Sequence, residues 1–245
     1  MAGEAAVLVH LLQAACLVEA ELRLRQCVAH QPNLDRRGHN SPRLQRPFRF
    51  QHPPRNLHRN VIFRDGPDKV RQVDPLDPQK EMWSDKLWDY MDAYEKKTGG
   101  KVLAIPHNSN MSNGLMFMLT EPNGGPMSAA YAKRRAAHEP VVEVTQIKGD
   151  SEAHPFMSPN DEFAGYGKAG WELGNLMMTE KTKPEMNPGS YVREALKRGL
   201  VIEARTGQNP YKYGMIGSTD SHTALSTADE NNYFGKHSGV EIGRA

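Results

Sequence analysis

From Asn56 onward, short apolar runs alternate with amphipathic stretches. The runs are Val61-Ile62-Phe63, Lys101 to Pro106, Val141 to Ile147 and Tyr213 to Ile216. Their length and β-branched content suit buried strands. Residues 81–98 place Met82, Leu87, Tyr90, Met91 and Tyr94 at roughly helical spacing, and Gly99-Gly100 supplies a stop. Residues 127–138 suit a second helix, and 189–206 read as the best amphipathic helix of the chain. Gly66-Pro67-Asp68 reads as a turn. Residues 148–188, rich in Gly, Pro, Asn, Asp and Met, predict a long loop of the kind used as a lid or an ordered insertion. Strand and helix therefore alternate, which predicts an α/β fold with a mainly parallel sheet. About four strands are too few to close an eight-stranded barrel, so the pattern predicts part of a barrel.

Before Asn56 the pattern differs. In residues 4–29, Val7, Leu11, Ala14, Val18 and Leu22 recur at helical steps, whereas 31–55 are rich in Arg, Pro, His and Gln without a period. Residues 1–60 hold nine Arg and no Lys, while 61–245 hold fourteen Lys and eight Arg. We therefore divide the chain into an Arg-rich helical or disordered segment, 1–55, and a patterned domain, 56–245. Leu12 to Cys16 loosely resembles a lipoprotein cleavage site, but Glu4 is the first charged residue and no basic start precedes it. The expectation is a soluble, cytoplasmic chain as it stands, with export open if the genuine start lies elsewhere.

Composition narrows the classes of function. A net charge of +2 gives no global case for nucleic acid, and no apolar run is long enough to predict a membrane span. Two cysteines, Cys16 and Cys27, make no disulfide framework. No Walker loop, nucleophile elbow, dinucleotide fingerprint or Cys–His zinc spacing is present.

The candidate chemistry sits at strand ends. Met215 to Thr223 runs from an apolar strand into Asp220 and His222, which an extended backbone would point to one side. The bland alternative is a polar turn in which Asp220 caps a helix. His107 follows the Lys101–Pro106 strand in the same way, with a hydrogen-bonded structural histidine as its alternative. His58 also lies beside a predicted strand. Glu143 falls inside a β-branched run, where burial demands a cation, metal or donor partner unless its face is exposed. The set His58, His107, Asp220 and His222 suits Zn²⁺, Mn²⁺ or Fe²⁺.

These residues lie in longer stretches that resemble a known family. Asn56 to Asn60, Ile105 to Asn108, Glu143 to Gly149, Ser158 to Phe163, Gly214 to Thr223 and Phe234 to Gly239 are similar to the domain-of-unknown-function 3604 family. That family is related to the polymerase-and-histidinol-phosphatase (PHP) superfamily of metal-dependent phosphoesterases. The resemblance spans about 56–241. It implies a distorted (β/α)7 TIM-like barrel with two or three divalent metals at the strand C-termini and a small-molecule phosphoester substrate. It makes His58 and His107 ligands of one metal, Asp220 a ligand of a second, and His222 a ligand of a third. Glu143 and His237 match family-like stretches without an assigned role.

The chain departs from the superfamily at its start. Residues 1–55 contain no His-x-His, and Glu4, Glu19 and Glu21 lie in a context unlike that of the superfamily's bridging Glu. A truncated hydrolase with an incomplete metal site, joined to a frameshifted or alternative start, is the expectation. The alternatives are a non-catalytic remnant that depends on a partner, and an Arg-rich nucleic-acid arm.

Overall fold

The structure is a computed structural model that describes residues 57–76, 83–146, 148–175, 179–218 and 220. The helix expected at 4–29 lies outside them. Five strands are described: β1 (Arg59–Phe63), β2 (Val102–Pro106), β3 (Val141–Gln146), β4 (Gly149–Asp150) and β5 (Gly214–Gly217). Four helices accompany them: α1 (Pro67–Val70), α2 (Ser84–Thr98), α3 (Ala129–His138) and α4 (Val192–Thr206). No helix among the described residues is long and apolar enough to cross a membrane.

The helices end where local chemistry ends them. Gly99 (φ 62°) and Gly207 (φ 73°) take the left-handed conformation that glycine adopts without a Cβ clash, and each N–H returns to the last turn, on Glu95 O and Glu203 O. Ser128 caps α3 by accepting the Tyr131 N–H at 3.2 Å. α2 buries Leu87, Trp88, Met91 and Tyr94. Trp88 replaces the expected Tyr90 at the centre of that face, because its indole reaches a buried carboxylate, described below.

The strands pair less uniformly than alternation predicts. β3 and β5 are parallel, as expected, with Glu143 opposite Ile216. β1 and β2 are antiparallel, from Arg59↔Pro106 to Phe63↔Val102. The mainly parallel sheet is thus corrected to a mixed arrangement: β1–β2 in one sheet and β4–β3–β5 in another. Hydrophobic alternation does not encode direction. Here α2 and the Gly99-Gly100 turn bring the chain back to the end of β1 that it left, and Arg64 N–H bonds Lys101 O at 2.9 Å.

Two apolar clusters support these strands. One gathers Leu57, Phe117, Val142, Val192 and Ile202, and the other Val61, Leu87, Trp88, Met91 and Ala104. Beside them lies a buried ionic group. Glu139 Oε1 accepts from Arg59 Nε (2.9 Å) and Trp88 Nε1 (3.0 Å), and Arg135 Nη2 lies 3.1 Å from Oε2. Arg59 Nη1 also donates to Leu57 O at 2.7 Å, and Arg135 Nη2 to Met116 O at 2.8 Å. These contacts pair charges that would be costly to bury alone, although Arg59 Nη2, Arg135 Nε and Glu139 Oε2 make no hydrogen bond among the described residues. They also fix the backbone on both sides of His58.

The described residues of the 148–188 stretch are tied to the strands and helices around them. Asp150 N–H bonds Gly167 O at 2.7 Å, and Val192 N–H bonds Ser151 O at 2.9 Å. Gly189 packs so closely on Gly114 that a Cβ there would overlap the Gly114 carbonyl.

Candidate metal centre

The antiparallel β1–β2 pair explains how His58 and His107 meet. His58 immediately precedes β1 and His107 immediately follows β2, so opposite strand polarity puts them at the same end. His107 N–H donates to His58 O at 3.0 Å, extending the ladder. Their rings are nearly parallel (8°) with centroids 6.2 Å apart. Asn108 then turns the chain in the left-handed region at φ 54°, a conformation asparagine tolerates. Its Nδ2 lies 3.5 Å from His58 Nδ1.

Glu143, buried in β3, lies against His107. His107 Nδ1 donates to Glu143 Oε1 at 2.8 Å, and Ser218 Oγ donates to Glu143 Oε2 at 2.9 Å. This is the donor partner that burial demanded. On the far side of the ring, His107 Nε2 faces Asp220 Oδ2 at 3.3 Å. Lys148 Nζ contacts that same oxygen. Glu143, His107, Asp220 and Lys148 therefore form a row of alternating charge when the imidazole is protonated.

The surroundings shift these groups in the directions the row requires. Burial alone would lower the His107 pKa, but the hydrogen bonds that its ring donates to Asp220 and Glu143 outweigh it and hold it above the usual histidine range. Burial alone would raise Asp220, but bonding to His107 and Lys148 holds it well below the usual carboxylate range.

His58, His107, Glu143 and Asp220 thus come to one end of the sheets. His222 and His237 lie outside the described residues. Asp220 itself has φ 48°, in the left-handed region and not in the extended backbone expected there. Among the described residues, no three His, Cys, Asp or Glu side chains are arranged to hold a metal ion. His107 Nε2 and Asp220 Oδ2 are a donor pair only. Tetrahedral donors bonded at about 2.0–2.2 Å sit roughly 3.4 Å apart. The observed 3.3 Å is the separation of a hydrogen-bonded pair, and Nε2 would have to lose its proton before the two atoms could serve as neighbouring donors.

The sequence motifs in this cluster also match a family. Residues 48–244 match the one described as protein of unknown function (DUF3604). The chain belongs to the DUF3604 family. The match begins inside the Arg-rich segment, ahead of Asn56. Among curated proteins and among solved structures nothing matches the chain. Within this DUF3604 domain, three contributions were not assigned from sequence. Lys148 lies in the quoted Glu143–Gly149 stretch, and its place just past a strand end was the available signal. Ser218, in the Gly-Ser-Thr turn, offered a similar one. In the Arg59–Glu139–Arg135 group, Arg135 and Glu139 stand four residues apart, which was the available signal, whereas Arg59 comes from 80 residues away and had none.

Proposed function

We propose that this DUF3604 domain is a metal-dependent hydrolase of phosphoesterase type, with the described strands forming part of a distorted (β/α)7 TIM-like barrel of the PHP kind. The observation that carries the reading is the 3.3 Å separation of His107 Nε2 and Asp220 Oδ2, with Nδ1 of the same ring bonded to Glu143. A carboxylate behind a metal-binding histidine fixes ring orientation and strengthens the ligand. Bound there, a divalent cation (Zn²⁺, Mn²⁺ or Fe²⁺) would supply Lewis acidity and an activated water for phosphoester cleavage.

The chain's own residues supply positioning. Glu143 holds the imidazole so that Nε2 faces Asp220, and Ser218 fixes the second Glu143 oxygen. Asn108 and the backbone bond to His107 fix His58 beside the pair. Arg59, through Leu57 O and Glu139, anchors the strand that carries His58.

The test is hydrolysis of p-nitrophenyl phosphate and its diester with added Mn²⁺ or Zn²⁺, using the full chain and its His107→Ala and Asp220→Ala variants. Metal-dependent cleavage that both substitutions abolish supports the reading; full activity in both variants sinks it. A second reading, a non-catalytic portion that docks on a partner, is favoured by β5, where Met215 is 42 % exposed. Folded, metal-free protein that cleaves neither ester and binds no cation would favour it.

A further inference from the structure

Residues 162–172 run between two anchored points. Asp161 Oδ2 is held by Arg193 Nη1, and Asn175 N–H bonds Glu180 O at 3.0 Å. Between these anchors stand Gly165, Gly167 and Gly170, the last at φ 83°. The segment lies on the turn that joins β3 to β4. Asp150 N–H bonds Gly167 O at 2.7 Å, and a Cβ on Gly149 would come within 3.3 Å of Gly167 O and Ala169 N.

Little apolar packing holds the segment there. Its Phe163 and Tyr166 are 69 % and 89 % exposed, whereas the small Ala164 is buried. What it buries instead is charge. Lys168 Nζ and Glu172 Oε1 stand 3.8 Å apart, too far for a hydrogen bond, with side chains 22 % and 10 % exposed. Lys168 Nζ, Glu172 Oε2 and the nearby Tyr191 hydroxyl are all buried without a hydrogen-bond partner. The Tyr191 ring, 5.4 Å from the ammonium, is a weak substitute for lost water. Burial lowers the Lys168 pKa, against the opposing pull of Glu172 and Asp150.

Segments with few buried apolar contacts open locally at low free energy. A buried ion pair without hydrogen bonds does not recover its desolvation cost. We propose that residues 162–172 form a lid that opens as a unit from the β3–β4 turn, with Asp161 and Asn175 as its fixed ends and the Lys168–Glu172 pair keeping its closure weak. Opening returns both charges to water. It also uncovers Gly149 and Asp150, next to Lys148, whose ammonium meets Asp220. The lid goes beyond the metal-dependent reading and does not rest on it.

The test is amide hydrogen exchange of the full 245-residue chain without added metal. Two adjacent amides report on it: Asp150 N–H closes on the lid at Gly167 O, whereas Ser151 N–H bonds Val144 O in β3 at 2.8 Å. Corrected for intrinsic rates, Asp150 should exchange at least about ten-fold faster than Ser151. The double substitution Lys168→Met, Glu172→Met removes both charges while keeping an unbranched apolar stem at each position. It should slow Asp150 at least about ten-fold and leave Ser151 unchanged, because an apolar pair closes without desolvating charge. Glu172→Gln, which leaves the ammonium without its counter-charge, should speed Asp150 alone. Equal corrected rates at Asp150 and Ser151 in the wild type overturn the lid, since a larger unfolding event then opens both. Unchanged or faster exchange at Asp150 in a cooperatively melting double variant overturns the part given to the ion pair. Should the double variant fail to melt cooperatively, the two wild-type amides and Glu172→Gln still decide.

Discussion

Glu143 Oε1 lies 2.8 Å from His107 Nδ1, and this one bond joins the centre of β3 to the end of β2. It fixes which ring nitrogen is left to face Asp220. Glu143→Gln keeps the shape but removes the charge, and the amide can present either its oxygen or its NH₂ to the ring. Loss of such a carboxylate behind a metal-binding histidine typically costs about 10–100-fold in metal affinity. If His107 holds the cation of the proposed function, titration of the folded variant with Mn²⁺ should show a loss of that order.

The Glu139 carboxylate, fully buried between Arg59, Arg135 and Trp88, gives a second prediction. Glu139→Gln leaves two buried guanidinium groups without a counter-charge. Breaking a buried pair from one side costs about 3–5 kcal/mol. Urea unfolding should show the midpoint falling accordingly, with the slope unchanged if unfolding is two-state. A variant that unfolds at the wild-type midpoint would mean that water reaches these groups.

Acid should destabilise the protein in two steps. Burial would raise the Glu139 pKa, but Arg59 and Arg135 hold it below the ordinary 4.5. Burial lowers His138 below 6.5, against the opposing pull of Asp92. Both folded values are depressed, so each contribution is present above the unfolded pKa and is lost as pH falls through the folded one. Thermal midpoints should therefore decline first below about pH 6.5, from His138, and more steeply below about pH 4.5, from Glu139. His138→Gln should flatten the first decline only.

Gly189→Ala tests the packing of the long insertion. A Cβ there would overlap the Gly114 backbone carbonyl, which has no side chain to rotate away. Overpacking of this kind costs about 1–3 kcal/mol. The change should lower the melting temperature while leaving the α4 helix signal in circular dichroism intact below the transition.

The elements were largely legible in the sequence because each is dictated locally. The periodicity of Leu87, Met91 and Tyr94, the stops at Gly99-Gly100 and Gly207, and the β-branched run at Val141 all act within a few residues. Strand direction was not legible: β1 and β2 are antiparallel although a helix joins them, and only the closing contact of Phe63 with Val102 decides that. In the site, His107 and Glu143 could be nominated singly, as a histidine past a strand end and a carboxylate that needed a partner. Their pairing depends on how β2 lies beside β3. Lys148 escaped notice for a related reason, since a lysine in a turn is ordinarily a solvated charge. Its meeting with Asp220 exists only after β5 has joined β3.

The backbone bond from His107 N–H to His58 O has one more consequence. It is the terminal rung of the β1–β2 ladder, and terminal rungs are where local opening begins. The same rung spans the two histidines, so its deuterium uptake would act as a clock for how often this corner of the protein comes apart. A cation that bridged groups on both strands would slow that clock, whereas one bound elsewhere would leave it running at the same rate.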